Sequence, residues 1–363
     1  MRISNRIESL QAYIPPLDTE GRVRLFMNEN LFGPSPTCSS VLKDITCASL
    51  MRYTSNGDLS LQRKLEEYLK VPLDSVTINH GSSEVIRQLF SIIITPGDAV
   101  LIPQPGWGYY EDTITLAGGT IEKYNLHQTP TEFKYSENEI IEKVQYVSAK
   151  AVVITSPNMP TGNRILHWQL ESILEHCPHT FFVIDEAYWG FNKNNDLDIN
   201  YYINKYKNII FVRTFSKFFG LANARIGYMV ADPSLGLQFR KAAPLFGITY
   251  ISQLMAISAL DDKAYYDNMR ICINKEMHSF KEKLMQLNIF NCFSSEANFY
   301  IIRVQDGNAQ SVVSFVKSRG FIVRDCTKYG LPACFRVTIG TPEINSEFLE
   351  LLKEYDAASQ KNS

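Results

Sequence analysis

AVVITSPNMPTGN, residues 151–163, begins as a run of small apolar residues and breaks off into a polar loop punctuated by two prolines. Nothing in AVVIT alternates in polarity. Both faces of that segment are therefore expected to be covered, as in an inner strand of a parallel sheet. The end of the run delivers Ser156, Asn158, Met159 and Thr161. Comparable short apolar runs recur: DAVLIPQ (98–104), TIEKYNL (120–126), FFVID (181–185), NIIFVRT (208–214) and IGYMVA (226–231). Stretches of helical spacing lie between many of them. That alternation predicts an α/β domain with a mostly parallel central sheet.

Outward from this core, residues 1–36 read as an extended arm or connecting segment. LSLQRKLEEYLK (59–70) has helical spacing, with Asp58 placed to cap it. TINHGSSE (77–84) passes from a short strand into a helix over about 83–95. A composition shift near 250 opens a long helical segment (250–287), followed by a smaller α+β unit. That unit holds the strands NFYIIRV and FRVTIGT and a helix near 310–319. The expected division is an arm (1–36), a large domain (37–250) and a small domain (251–363).

With 363 residues, two domains are the natural expectation. Apolar residues make up 45% and charged residues 20%, ordinary for a soluble globular chain. A formal net charge of -2 offers no broad basic field, which argues against nucleic acid and anionic membrane as partners. The seven cysteines are scattered, odd in number and without a CxxC pair. They read as reduced thiols of a cytoplasmic protein rather than a disulfide frame or zinc site. The opening segment MRISNRIESLQAYIPP lacks the apolar run of a secretory leader, and no run is long enough to span a membrane. NKNNDLDIN (192–200) resembles a calcium loop only loosely and reads as a solvated loop. The six histidines show no metal-ligand spacing, so no metal is expected.

The chemistry gathers where the predicted strands end, the edge at which open α/β sheets bind ligands. In VIDEAYWGF (183–191), Asp185 follows apolar strand residues and needs a cation or strong donor if buried. In RTFSKFFGLANARIGY (213–228), Lys217 precedes two phenylalanines, surroundings that favour a neutral, nucleophilic amine. Ser216 and Arg225 flank it. Ser82 and Ser83 stand at a strand-to-helix turn, whose backbone N–H groups suit a phosphate. A desolvated lysine, a buried aspartate, a phosphate cradle and a nearby Arg and Ser match the needs of pyridoxal 5'-phosphate. The lysine bonds its aldehyde, the aspartate keeps its ring nitrogen protonated, and the cradle neutralises its phosphate.

These segments, taken together over nearly the whole chain, resemble the fold-type I, pyridoxal-phosphate-dependent class I/II aminotransferases, in particular those that act on histidinol phosphate. The resemblance lies in NENLFGPSP (28–36), PGWGYY (105–110), SPNMPTG, VIDEAY, TFSK with Arg225, and FRVTIGT. It implies that Lys217, Asp185 and Tyr188 are catalytic, with Asp185 at the pyridine nitrogen and Tyr188 at the cofactor's phenolic oxygen. Trp107 is then the ring-stacking residue, and Ser82, Ser83, Asn158, Met159, Ser216 and Arg225 also bind the cofactor. Tyr53, in MRYTSNGD (51–58), would reach the partner subunit's cofactor phosphate, which implies a homodimer. Arg336 would clamp the substrate α-carboxylate and Arg324 the distal group, with Asn30 and Phe32 also facing the substrate.

Departures from the family pattern mark a divergent member. Met159 stands where the family places an asparagine donor to the phenolic oxygen; Phe32 replaces a tyrosine; Asn223 and Ala224 replace Gly-Leu. The expected reaction is amino transfer between small amino acids or amino-phosphates and keto acids. A decarboxylase, lyase or cyclase of the same fold, such as one acting on threonine phosphate, is the alternative. A non-enzymatic binder is disfavoured by the intact Lys217 and Asp185.

Overall fold

In a computed structural model, the chain is described except at residues 1–3, 9, 13, 15–18, 55–56, 193–195, 306 and 362–363. Every apolar run that reads as a large-domain strand forms one. The seven-stranded sheet has the order Val76–Asn79, Gly227–Ala231, Ile209–Thr214, Phe181–Asp185, Ala151–Thr155, Ala99–Gln104, Thr120–Asn125. Gly227–Ala231 runs antiparallel to both neighbours, and all other pairs are parallel. The Ala151–Thr155 and Ile209–Thr214 strands are buried at every position, which is why neither shows polar alternation. Helices bury both faces of the sheet, among them Gly81–Ile93, Tyr109–Ala117, Glu137–Val147 and Pro233–Lys241.

A four-stranded antiparallel sheet forms a second layer system, ordered Phe290–Cys292, Phe299–Val304, Cys334–Thr338, Arg324–Asp325. It packs with the helices Ala309–Ser318 and Pro342–Lys361.

Several local expectations need correction. The first 36 residues are not uniformly extended: Asn5–Glu8 is a helical turn, and Val23–Arg24 pairs in parallel with Phe321–Ile322. The helix Leu59–Leu69 does follow Asp58, but the Asp58 side chain makes no capping hydrogen bond; only its carbonyl joins the helix, accepting from Gln62 N at 3.0 Å. The helix after TINH begins two residues early, at Gly81. The segment 250–287 is two helices, Tyr250–Asp261 and Lys263–Leu284, broken at Asp262. Asp262 caps the second with its side chain and accepts a hydrogen bond from Ser35 Oγ at 2.5 Å. The loosely calcium-like loop lies partly outside the described residues, and its Asp198 instead caps the helix Ile199–Lys205.

Candidate active site

The parallel register places the ends of neighbouring strands side by side: Thr155 pairs with Asp185, and Asp185 with Val212. The loops PGWGYY, SPNMPTG, EAY and FSK therefore leave the sheet along one edge.

Asp185 is 2% exposed. Tyr110 Oη donates to its Oδ2 at 2.7 Å and Ala187 N to its Oδ1 at 2.9 Å. Burial raises its pKa, with these two donors opposing the shift. Its neighbour Glu186 turns to the other face and forms a buried ion pair with Arg213 at 2.8 Å. That guanidinium lies 3.9 Å over the Trp189 ring. The pair fixes the turn that carries Asp185 and Tyr188. Trp107, partly buried, meets Tyr109 at 4.9 Å and the edge of Tyr110 at 5.5 Å, which ties it to the residue holding Asp185.

Lys217 reaches the cleft beneath the arm, where its Nζ donates to the Met27 carbonyl at 2.7 Å. Desolvation, then the positive charge of Arg336, lower its pKa to about 8, partly opposed by Glu29. At pH 7 such an amine is neutral roughly 300 times more often than an ordinary lysine of pKa 10.5.

Beside it lies a cradle. Arg225 Nη1 is 3.4 Å from Ser216 Oγ. Gly81, with φ +81°, opens the helix that carries Ser82 and Ser83. A Cβ on Gly81 would come within 2.6 Å of the Arg225 guanidinium, and one on Gly227 within 2.2 Å of the Gly81 backbone. Only glycines allow this convergence of a cation, a hydroxyl and helix-start N–H groups, a donor set suited to a phosphate.

A second group of cations lies on the four-stranded antiparallel sheet. Arg324 and Arg336 face each other directly across antiparallel strands. Like charges so placed repel. Arg336 is 4% exposed and gives Nη2 to the Phe26 carbonyl at 2.8 Å, but its Nε and Nη1 have no partner. Arg324 Nε is likewise buried without a partner. Unpartnered buried donors on adjacent guanidiniums mark a place for a carboxylate or phosphate.

The SPNMPTG loop offers less. Asn158 spends its amide on Pro105 O (3.0 Å) and Thr161 Oγ1 (2.7 Å), while its buried Oδ1 has no partner. Met159 packs into the core at 7% exposure. In the arm, Asn30 donates to Phe218 O and Met269 Sδ and accepts from Phe32 N, so its amide fastens the arm. Phe32 packs against the core. Tyr53 is 75% exposed and stacks on Phe246 at 3.9 Å. Two residues that the sequence reading did not single out also belong here. Tyr110 sits in the quoted PGWGYY segment, and Asn28, in NENLFGPSP, donates to Tyr188 Oη at 2.8 Å.

Among the described residues no cluster of metal-ligating side chains occurs, and no helix is long and apolar enough to cross a membrane. All seven cysteines are free.

The model of the family "Aminotransferase class I and II" matches residues 21–352. A histidinol-phosphate aminotransferase of Methanococcus maripaludis is 31% identical, over 96% of each chain. Among solved structures, the histidinol-phosphate aminotransferase of Sinorhizobium meliloti in complex with pyridoxal-5'-phosphate superposes with a TM-score of 0.89, at 23% identity and 98% coverage of each chain. The L-threonine-O-3-phosphate decarboxylase of Porphyromonas gingivalis superposes at 0.79, with 20% identity, covering 92% of this chain and 99% of that one. The expected fold type thus holds, and by the family match and the identity over nearly its full length the chain belongs to the class I and II aminotransferases.

Proposed function

We propose that this aminotransferase uses pyridoxal 5'-phosphate to move an amino group between histidinol phosphate, or a closely similar amino-phosphate, and a keto acid. The observation that carries this reading is the desolvated Lys217 amine, its pKa lowered to about 8, beside buried Arg336, whose Nε and Nη1 have no partner. The residues fit the cofactor. The Gly81, Ser216 and Arg225 cradle suits its phosphate, and buried Asp185, with acceptor capacity left on both oxygens, suits a protonated ring nitrogen. When bound, the cofactor supplies an electron sink for charge developing at the substrate's α-carbon.

The chain's own residues do the rest. Lys217 would hold the cofactor and, once freed by the substrate amine, would move a proton from the α-carbon as general base and return one as general acid. Its lowered pKa suits both tasks near neutral pH. Asp185 would face the ring nitrogen, and Tyr188 the phenolic oxygen. Trp107 would cover the ring. Arg336 would take the carboxylate of the amino or keto acid and Arg324 an anion at its other end, while histidinol phosphate, which has no carboxylate, would be held through its phosphate alone. The deciding experiment incubates the holoenzyme with histidinol phosphate and a panel of keto acids, and separately with threonine phosphate. Consumption of the keto acid with formation of its amino acid supports amino transfer. Release of carbon dioxide from threonine phosphate with the cofactor unchanged would replace this reading by a decarboxylase.

The working unit in this proposal is a cytoplasmic homodimer. Tyr53, Leu50, Met51, Leu245 and Phe246 are all large apolar side chains exposed on one chain, as an obligate interface requires. Tyr53 would then reach the cofactor phosphate of the second subunit. Sedimentation should give a dimer, and Tyr53→Phe should weaken cofactor retention without changing that mass. A monomer with full turnover would overturn the shared site.

A further inference from the structure

Tyr188 is 6% exposed and packs edge-on against Phe299, with ring centroids 5.1 Å apart. Its ring lies 5.7 Å from Lys217 Nζ. Among the described residues, the hydrogen bond to its hydroxyl comes from the arm: Asn28 Nδ2 donates to Tyr188 Oη at 2.8 Å, across 160 residues of sequence. Asn28 is itself held by two side chains, Thr338 and Asn298. Its N–H donates to Thr338 Oγ1 at 3.0 Å, its Oδ1 lies 3.2 Å from the same hydroxyl, and its carbonyl accepts from Asn298 Nδ2 at 3.3 Å. Its φ of +54° is left-handed, a conformation asparagine tolerates better than most residues. Thr338 lies two residues from Arg336 on the same strand. One amide therefore joins the large-domain tyrosine to the strand that carries the buried arginine.

A hydroxyl has one proton. Where its oxygen accepts from Asn28, that proton is free to point elsewhere, and the face left to it is the cleft beside Lys217. We infer that Asn28 is a positioning residue that aims the Tyr188 hydroxyl proton into the cleft, toward the cofactor's phenolic oxygen. This rests on the pyridoxal-phosphate reading above. Met159, which has no N–H or O–H side-chain group, adds no side-chain donor from the SPNMPTG loop. The charged and titratable groups facing Tyr188 are Arg336, Asp185, Tyr329 and Lys217. Burial raises the Tyr188 pKa, while Arg336 and Asn28 oppose that rise.

The test is a pH titration of the bound cofactor's visible absorbance, without substrate, in wild type, Asn28→Gly, Tyr188→Phe and the double variant. Glycine keeps the left-handed turn and removes the donor. A weaker Tyr188 donor stabilises the cofactor's phenolate less, so Asn28→Gly should raise the apparent pKa by about 0.5–1 unit. In the Tyr188→Phe background the same change should add nothing. If glycine loosens the arm, Asn28→Asp keeps shape and turn. Its carboxylate only accepts, draws the tyrosine proton away and should also raise the pKa when Tyr188 is present. An unchanged pKa, a fall, or an equal shift in both backgrounds would overturn the inference while leaving the cofactor reading intact. No response to Tyr188→Phe itself would remove Tyr188 from the cofactor, and the inference with it.

Discussion

Replacing Lys217 by alanine is expected to lower kcat by at least about 10²–10⁴-fold, the usual contribution of a positioned proton-transfer group. The loss of the covalent anchor adds to this. Lys217 is the lysine whose amine lies within the cleft against Met27 and Arg336. Borohydride reduction of the holoenzyme followed by peptide mapping should place pyridoxyl on Lys217, and label on another lysine would refute the assignment. The pH dependence has a definite sign. The lysine pKa is lowered to about 8, so the neutral nucleophile grows as pH rises through 8 rather than through 10.5. The rate at which the cofactor-free protein captures pyridoxal phosphate should therefore climb between about pH 7 and 9 and level off above. A rate still climbing steeply at pH 10 would mean that the amine is fully solvated.

The large-domain strands were legible because burial on both faces writes itself into sequence as unbroken apolar runs, AVVIT and FFVID most plainly. Their common direction then brings PGWGYY, EAY and FSK to one edge, so much of the candidate site follows from strand ends alone. Elements without that signature were not read. Val23–Arg24 and Arg324–Asp325 are two residues long, and their pairing depends on partners far along the chain. The break at Asp262 carries neither glycine nor proline; the Ser35 hydroxyl and the start of the next helix both claim its carboxylate. Asp58 stands where a capping residue should, yet its side chain leaves the helix start alone. Asn28 belongs to a quoted motif, but its meaning comes from Tyr188 and Thr338, 160 and 310 residues away. Contacts of that span follow from the folded topology rather than from any local pattern.

Arg336→Ala should reduce kcat/KM for every substrate that presents a carboxylate or phosphate by about 30-fold to a few thousand-fold, equivalent to about 2–5 kcal/mol for truncating a buried charged hydrogen-bonding partner. The geometry argues for the upper part of that range. Two of its three guanidinium nitrogens are buried without partners, and Arg324 stands directly opposite with its own unpartnered Nε. An arriving anion satisfies those donors and offsets the repulsion between the two cations, so its binding energy is concentrated there. Arg336→Lys should recover only a small part, because an ammonium cannot present two parallel N–H groups. Arg324 is less buried, and its Nη2 finds only the Met27 sulfur at 3.8 Å. Arg324→Ala should therefore act selectively, costing substrates with a distal anion at least about tenfold and neutral ones little. Arg336 also helps hold Lys217 at low pKa, so Arg336→Ala should shift the pH dependence of cofactor capture upward, whereas Arg324 variants should not, because the charges acting on that amine are Arg336, Glu29 and Arg225. Equal losses for both variants on neutral and anionic substrates would show that the two arginines act as one undivided anion site.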